Sequence, residues 1–156
     1  GDPVRQLPRG FTASDLPRGV LDVCVFCPGC LVVTVPPYAD ERDVAARVAA
    51  HPAFADWPLI VLSDDAARAV RSPVNFLWTT FTRFEPAADV HARAVQVVRN
   101  HIAYTSPIVI DARMKPWYPA ELACRPDIAA TVTRRWREYF PTSAVEMGDS
   151  ERGHLD

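Results

Sequence analysis

No apolar run in these 156 residues approaches the roughly 20 needed to cross a bilayer, so the sequence marks no transmembrane helix. An excess of charge is also missing. Seventeen Lys and Arg stand against 19 Asp and Glu, giving a net charge of −2 and a pI near 6.1. That balance offers no electrostatic case for nucleic acid or an anionic membrane, and the positive charges are scattered apart from Arg134, Arg135 and Arg137. The amino terminus has Asp2 and Pro3 where a signal peptide would have a basic region and an apolar core, so a cytoplasmic protein is expected. Cysteine is too sparse, at four residues, for a disulfide scaffold in a chain that is 49% apolar. There is no internal repeat and no low-complexity segment. Gly1 stands where Met would, as at a processed end, a tag remnant or a boundary within a longer polypeptide.

The apolar content suffices for one domain with a sizeable core. Residues 1–18, rich in Pro, Arg and Gly without a period, read as an irregular arm. A compact domain is expected over residues 19–141 and a polar tail over 142–156. Leu21 to Phe26 and Leu31 to Val35 are β-rich runs either side of a Cys-Pro-Gly-Cys turn, which predicts an antiparallel pair ended by Pro36 and Pro37. Asp40 is placed to cap a helix through Ala50, with Val44 and Val48 on one face and Pro52 as its stop. Leu59 to Leu62 predicts a short buried strand ending at Ser63-Asp64-Asp65. Val74, Leu77, Trp78 and Phe81 recur at helical spacing over 74–83. Val90 to Val98 alternates enough to predict a strand, and Ile108 to Ile110 predicts another that ends at Asp111. Pro126 opens a helix along which Ile128, Val132, Trp136 and Phe140 recur every four residues, with the three arginines on its solvated sides. Strands interleaved with helices give an α/β fold, a mixed β-sheet with packed helices.

Two segments carry the chemistry. Residues 76–91 couple an apolar run to Arg83, Glu85 and Asp89, and residues 108–116 couple one to Asp111, Arg113 and Lys115. A core gains nothing by ending in several charges, which collect where an element delivers side chains to a cleft or interface. These segments, with Ser63-Asp64-Asp65, Trp78, Thr82-Arg83-Phe84-Glu85-Pro86-Ala87-Ala88-Asp89 and Ile110-Asp111-Ala112-Arg113-Met114-Lys115-Pro116, resemble the carboxy-terminal domain of the UbiD-type carboxy-lyases. The Pro28-Gly29-Cys30 turn is similar to a glycine-rich hairpin near the start of that domain. The resemblance spans roughly residues 19–140.

Those enzymes add or remove carboxyl groups on aromatic and unsaturated acids with prenylated flavin mononucleotide. The resemblance implies a lid and oligomerisation domain, or a small subunit, that lacks the flavin-binding catalytic domain. It would be silent alone and would meet prenylated FMN only through a catalytic UbiD-type partner chain. Self-association is expected through the helix around Trp136 and Tyr139. The residues nearest a ligand are expected among Thr82, Arg83, Asp89, Asp111, Arg113, Lys115, Trp78 and His101, with no catalytic residue in this chain by itself.

Blander explanations stand beside these. Arg83 could form an internal ion pair with Asp89 or Glu85, and Asp111, Arg113 and Lys115 could be a structural cluster beside Pro116. Asp64 and Asp65 fit a strand end or helix cap better than a cation site. His91 and His101 have no partner at metal-ligand spacing. The spacing Cys24-x2-Cys27-x2-Cys30, with Cys124 as a fourth ligand, admits a metal or iron–sulfur protein as the alternative. Against it, spacing of three along an extended strand splits the sulfurs between faces, so no metal is favoured. A catalytically silent oligomeric scaffold is the remaining reading.

Overall fold

Leu31, Val32 and Val33 are wholly buried although they are consecutive, and so are Ile60, Val61 and Leu62 to within 1%. Strands hidden on both faces must lie inside a sheet that is covered on both sides. The computed structural model, which describes residues 10–120 and 125–142, has this arrangement. Contacts divide the chain into two units, residues 1–118 and 119–156.

In the first unit five strands form one mixed sheet: β1 (Asp22–Cys27), β2 (Cys30–Thr34), β3 (Leu59–Ser63), β4 (Val90–Val98) and β5 (His101–Asp111), in the order β1-β2-β3-β5-β4. The central strands β2, β3 and β5 are parallel, and the two edge strands run antiparallel to their neighbours. Alternation sorts the side chains. Leu31, Val33, Ile60, Leu62 and Val109 face one layer, where α1 (Val44–Ala50) and the turn Pro52–Phe54 add Val44, Val48 and Phe54. Cys30, Val32, Val61 and Ala112 face the other, covered by α2 (Ala66–Ala69) and α3 (Pro73–Thr82) through Ala66, Ala69 and Phe76. Phe26 of β1 stacks on Phe76 with ring centroids 3.8 Å apart. The fold is therefore the expected α/β architecture.

Two details of this unit differ from the sequence reading. Asp40 lies in a turn, and the helix cap position belongs to Asp43, whose side chain makes no capping bond. By contrast, Asp65 and Ser72 accept from Arg68 N and Asn75 N and so cap α2 and α3. The strand expected at 108–110 is the end of the eleven-residue β5. Only Ile108 to Asp111 pair with β3; the preceding residues pair with β4 alone and form a two-stranded ribbon. Arg99 and Asn100 both have positive φ, the conformation that a two-residue hairpin loop requires.

The ribbon is amphipathic. Val95 lies opposite Tyr104 and Val97 opposite Ile102, so these four exposed side chains share one face. Gln96, Ala103, Thr105 and His101 fall on the other, with Val98. A second exposed apolar strip runs along α3, where Val74, Leu77, Trp78 and Phe81 line a shallow groove with Thr82.

In the second unit the single helix expected from Pro126 to Phe140 is two: α4 (Pro126–Arg134) and α5 (Trp136–Tyr139), separated at Arg135. Trp136 and Phe140 still meet, at 4.5 Å between centroids. Arg134, Arg135 and Arg137 are exposed, as expected. The arm up to residue 9, the tail from 143 and Cys124 lie outside the described residues.

Leu31→Ala should cost about 3 kcal/mol of stability, because the central strand has no room to collapse around the lost atoms. Urea unfolding measures this. A loss well under about 1 kcal/mol would mean that β2 is not the centre of the core.

Candidate functional site at the carboxyl edge of the sheet

The parallel strands β2, β3 and β5 all end at one edge of the sheet, and each is followed by polar or charged residues: Pro36 to Arg42, Ser63 to Asp65, and Asp111 to Lys115. In open α/β sheets this carboxyl edge is where ligands bind. Here it collects Arg83, Asp89, Asp111, Arg113 and Lys115, all of them buried.

Arg113 is wholly buried, and each nitrogen of its guanidinium has acceptors. Nε and Nη2 donate to the two carboxylate oxygens of Asp111 at 2.8 and 2.6 Å. Nη1 donates to the carbonyls of Pro36 and Glu41 at 2.8 and 2.7 Å, and Nη2 reaches the Arg42 carbonyl at 3.5 Å. A planar fork is suited to this geometry, with one side bidentate on a carboxylate and the other gathering loop carbonyls. The guanidinium also lies 5.1 Å from the centroid of the Tyr38 ring.

Lys115 is 1% exposed, and its ammonium uses its three donors inside the protein. They go to the carbonyl of Arg83 at 2.7 Å, the carbonyl of Asp111 at 2.5 Å and Asp89 Oδ2 at 2.9 Å. Asp89 Oδ2 also accepts from Glu85 N at 2.7 Å, closing the loop that contains Pro86. Asp111 N donates to the Asp89 carbonyl at 2.9 Å. Tyr38 and Tyr118 each lie 5.7 Å from Lys115 Nζ, and Trp117 meets Tyr38 edge-on. Burial, with Asp89, Glu85 and Asp111 nearby, holds the Tyr118 hydroxyl above the usual tyrosine pKa.

Arg83 is the carboxyl cap of α3, and its side chain pairs with Asp64 rather than Asp89, Nη1 to Oδ2 at 3.4 Å. The same Asp64 oxygen accepts from Met114 N at 2.8 Å, tying the end of β3 to the segment after β5. Burial pulls the Arg83 pKa down from its ordinary value, Asp64 opposes that, and Arg68 adds to it. Arg83 stays a cation at any pH of interest.

The remaining candidates are spread out. Thr82 and Trp78 are exposed on α3, with Thr82 Oγ1 donating to the Trp78 carbonyl at 2.7 Å. His101 opens β5 beside the ribbon tip, about 33 Å of strand away from Asp111. Sequence reasoning missed Tyr38, Trp117 and Tyr118, the aromatic wall around the two buried cations; an aromatic directly after Pro36-Pro37 at a strand end was the available signal.

At the opposite end of the sheet, the cysteines occupy the β1–β2 hairpin. Cys24, Cys27 and Cys30 are thiols, and Cys24 Sγ donates to Asp22 Oδ2 at 3.6 Å. Among the described residues no group of three His, Cys, Asp or Glu is placed to hold a metal ion, and no helix is long and apolar enough to cross a membrane.

No family model matches the chain. An uncharacterized protein of Chlamydia trachomatis is 39% identical to it over 141 residues, which is 90% of this chain and 24% of that protein. A Chlamydia pneumoniae protein, named as a subunit of a 4-hydroxybenzoate decarboxylase, is also 39% identical over 141 residues, with the same shares. The chain thus spans about a quarter of the length of the curated relatives it matches. Among solved structures, the vanillic acid decarboxylase of Sedimentibacter hydroxybenzoicus in open form matches 74% of this chain and 28% of its own, at 16% identity and a TM-score of 0.42.

Lys115→Met should destabilise the protein by about 3–5 kcal/mol, because it leaves the Asp89 carboxylate buried without its cation. Replacing Asp89 by Asn in the same chain should return part of that loss. Urea midpoints of the single and double variants check this. Simple additivity of the two losses would show that the pair is not coupled.

Proposed function

We propose that this chain is the small subunit, or lid and assembly domain, of a UbiD-type decarboxylase or carboxylase, as its likeness to a protein named as a decarboxylase subunit supports. Its substrates are aromatic or unsaturated carboxylic acids, and the reaction takes place on another chain or on the rest of a longer polypeptide. The observation that carries this reading is the kinship, along nine-tenths of the chain, with a protein named as part of a decarboxylase.

The state of the charged edge supports a supporting rather than a reacting role. Prenylated FMN, the cofactor of the family, has a phosphate that needs available donors. Arg113 and Lys115 do not fit it, since their donors are engaged by Asp111, Asp89 and five backbone carbonyls. We therefore assign the flavin to the partner chain. Arg113 and Lys115 act as positioning residues: they fix the loop after β2 and the carboxyl end of α3, the helix that carries Trp78 and Thr82. Trp78, exposed on α3, offers an aromatic wall to a substrate.

The two exposed apolar faces support a partnership. A two-stranded ribbon is marginal in water by itself, and Val95, Val97, Ile102 and Tyr104 would gain by being covered. The same holds for the α3 strip. We assign one or both to the catalytic chain or to a second copy of this one.

Co-expression with a flavin-bearing UbiD-type chain and an assay of CO2 release from 4-hydroxybenzoate and related acids test the proposal. The pair should turn over, and this chain with prenylated FMN alone should not. Turnover by the isolated chain would sink the reading. Val97→Lys with Ile102→Lys should weaken the complex about tenfold or more, the equivalent of about 1.4 kcal/mol, measured by sedimentation. Unchanged affinity would remove the ribbon from the interface.

A further inference from the structure

The hairpin between β1 and β2 holds a pair of reactive side chains that the charged edge does not use. Cys27 and Cys30 flank Pro28-Gly29 and face one another as the last cross-strand pair of the hairpin. Gly29 has φ +85°, a conformation that brings the chain round in two residues. Residues opposite one another in an antiparallel pair have Cα atoms about 4.5–5.5 Å apart. That lies inside the range of about 4.4–6.8 Å that a disulfide spans.

The two sulfurs live in different surroundings. Cys27 is exposed, whereas Cys30 is 5% exposed and packs with Val32, Val61 and Phe76. Burial comes first, and the neighbouring Cys27 second, in pushing the Cys30 thiol up to about 11. The Cys30 thiol donates to the Leu31 carbonyl at 3.9 Å, and the two cysteines are cross-strand neighbours. Cys24, the third cysteine of the run, is directed to Asp22 and lies opposite Val32, outside this pair.

We propose that Cys27 and Cys30 form a reversible dithiol–disulfide pair that exchanges with small-molecule disulfides. The exposed Cys27 thiolate attacks one sulfur of a disulfide RSSR, forms the mixed disulfide Cys27–S–S–R and releases RS−. Cys30 then loses its proton to solvent, and its sulfur attacks the Cys27 sulfur. The Cys27–Cys30 bond forms and a second RS− leaves. Two protein thiols are oxidised and one external disulfide is reduced to two thiols. The order follows from access: a reagent reaches Cys27, and only Cys27 reaches Cys30.

Closure has a structural consequence. The Gly29 carbonyl accepts from Leu59 N at 3.1 Å, so this turn is attached to the first residue of β3. The Cβ of any residue replacing Gly29 would rest on Pro58, immediately before it. The same edge of the sheet is where β5 runs on into the ribbon, since Leu59 pairs with Ile108. A closed disulfide stiffens the turn at the base of the proposed partner surface. The thiol chemistry itself does not depend on the decarboxylase reading.

The test is incubation of the full chain with glutathione disulfide in mildly alkaline buffer, then alkylation and peptide mapping by tandem mass spectrometry. The wild type should lose two hydrogens at Cys27 and Cys30 together and recover both thiols with dithiothreitol. Cys30→Ser, or Cys30→Ala if the buried serine prevents folding, should instead keep a stable glutathione adduct on Cys27. Cys27→Ser should lower oxidation of Cys30 about tenfold or more. A lasting adduct on wild-type Cys27, a bond to Cys24 or Cys124, or an unreacted hairpin would each overturn the proposal. The wild-type map decides the matter even if every variant unfolds.

Discussion

The structure depends on one buried contact: the guanidinium of Arg113 laid bidentate on the Asp111 carboxylate. Asp111 ends the central strand β5, and Arg113 uses its remaining donors on the carbonyls of Pro36, Glu41 and Arg42. Those carbonyls belong to the loop that leads from β2 into α1. A single side chain thus ties the end of one strand to the exit of another, across the intervening β3. Removing either charge would strand the other in a site with almost no water, which is a far larger cost than the net worth of the pair.

Lys115 repeats the device one step further out. Its ammonium joins the carbonyl caps of α3 and β5 to Asp89, and Asp89 in turn closes the Pro86 loop. Buried ion pairs are weak evidence for stability when compared with an apolar replacement. What they supply here is geometry. An apolar contact could fill the same volume, but it could not fix five carbonyls and two carboxylates in one arrangement. That holds the carboxyl end of α3 and the ends of β2 and β5 at a constant position.

The sheet was largely legible because its strands are short, apolar and bounded by Pro, Gly and Asp. Leu59 to Ser63 and the helical spacing of Val74, Leu77, Trp78 and Phe81 are local signals, and the structure follows them. The ribbon half of β5 was not, since Thr105-Ser106-Pro107 reads as a break and only pairing with β4 overrides it. The helix break at Arg135 was hidden for a similar reason: four-residue periodicity continues through it, and Trp136 and Phe140 still touch. At the charged edge, the gathering of Arg83, Asp89, Asp111, Arg113 and Lys115 followed from charges set at the ends of apolar runs. Their pairing did not. Whether Asp89 takes Arg83 or Lys115 is decided by a crossing of loops more than twenty residues apart, which no local pattern encodes.

The two ends of the parallel strands carry opposite kinds of surface. At the carboxyl end the buried cations Arg83, Arg113 and Lys115 are each paired with a carboxylate, so these three add little net electrostatic attraction for a partner. At the amino end the ribbon presents Val95, Val97, Ile102 and Tyr104 with no charge among them. Association there would be driven by apolar area and shape, with weak dependence on salt. A partner seated on the ribbon would touch other residues than those of the charged edge, and a substitution in one set should leave the other intact.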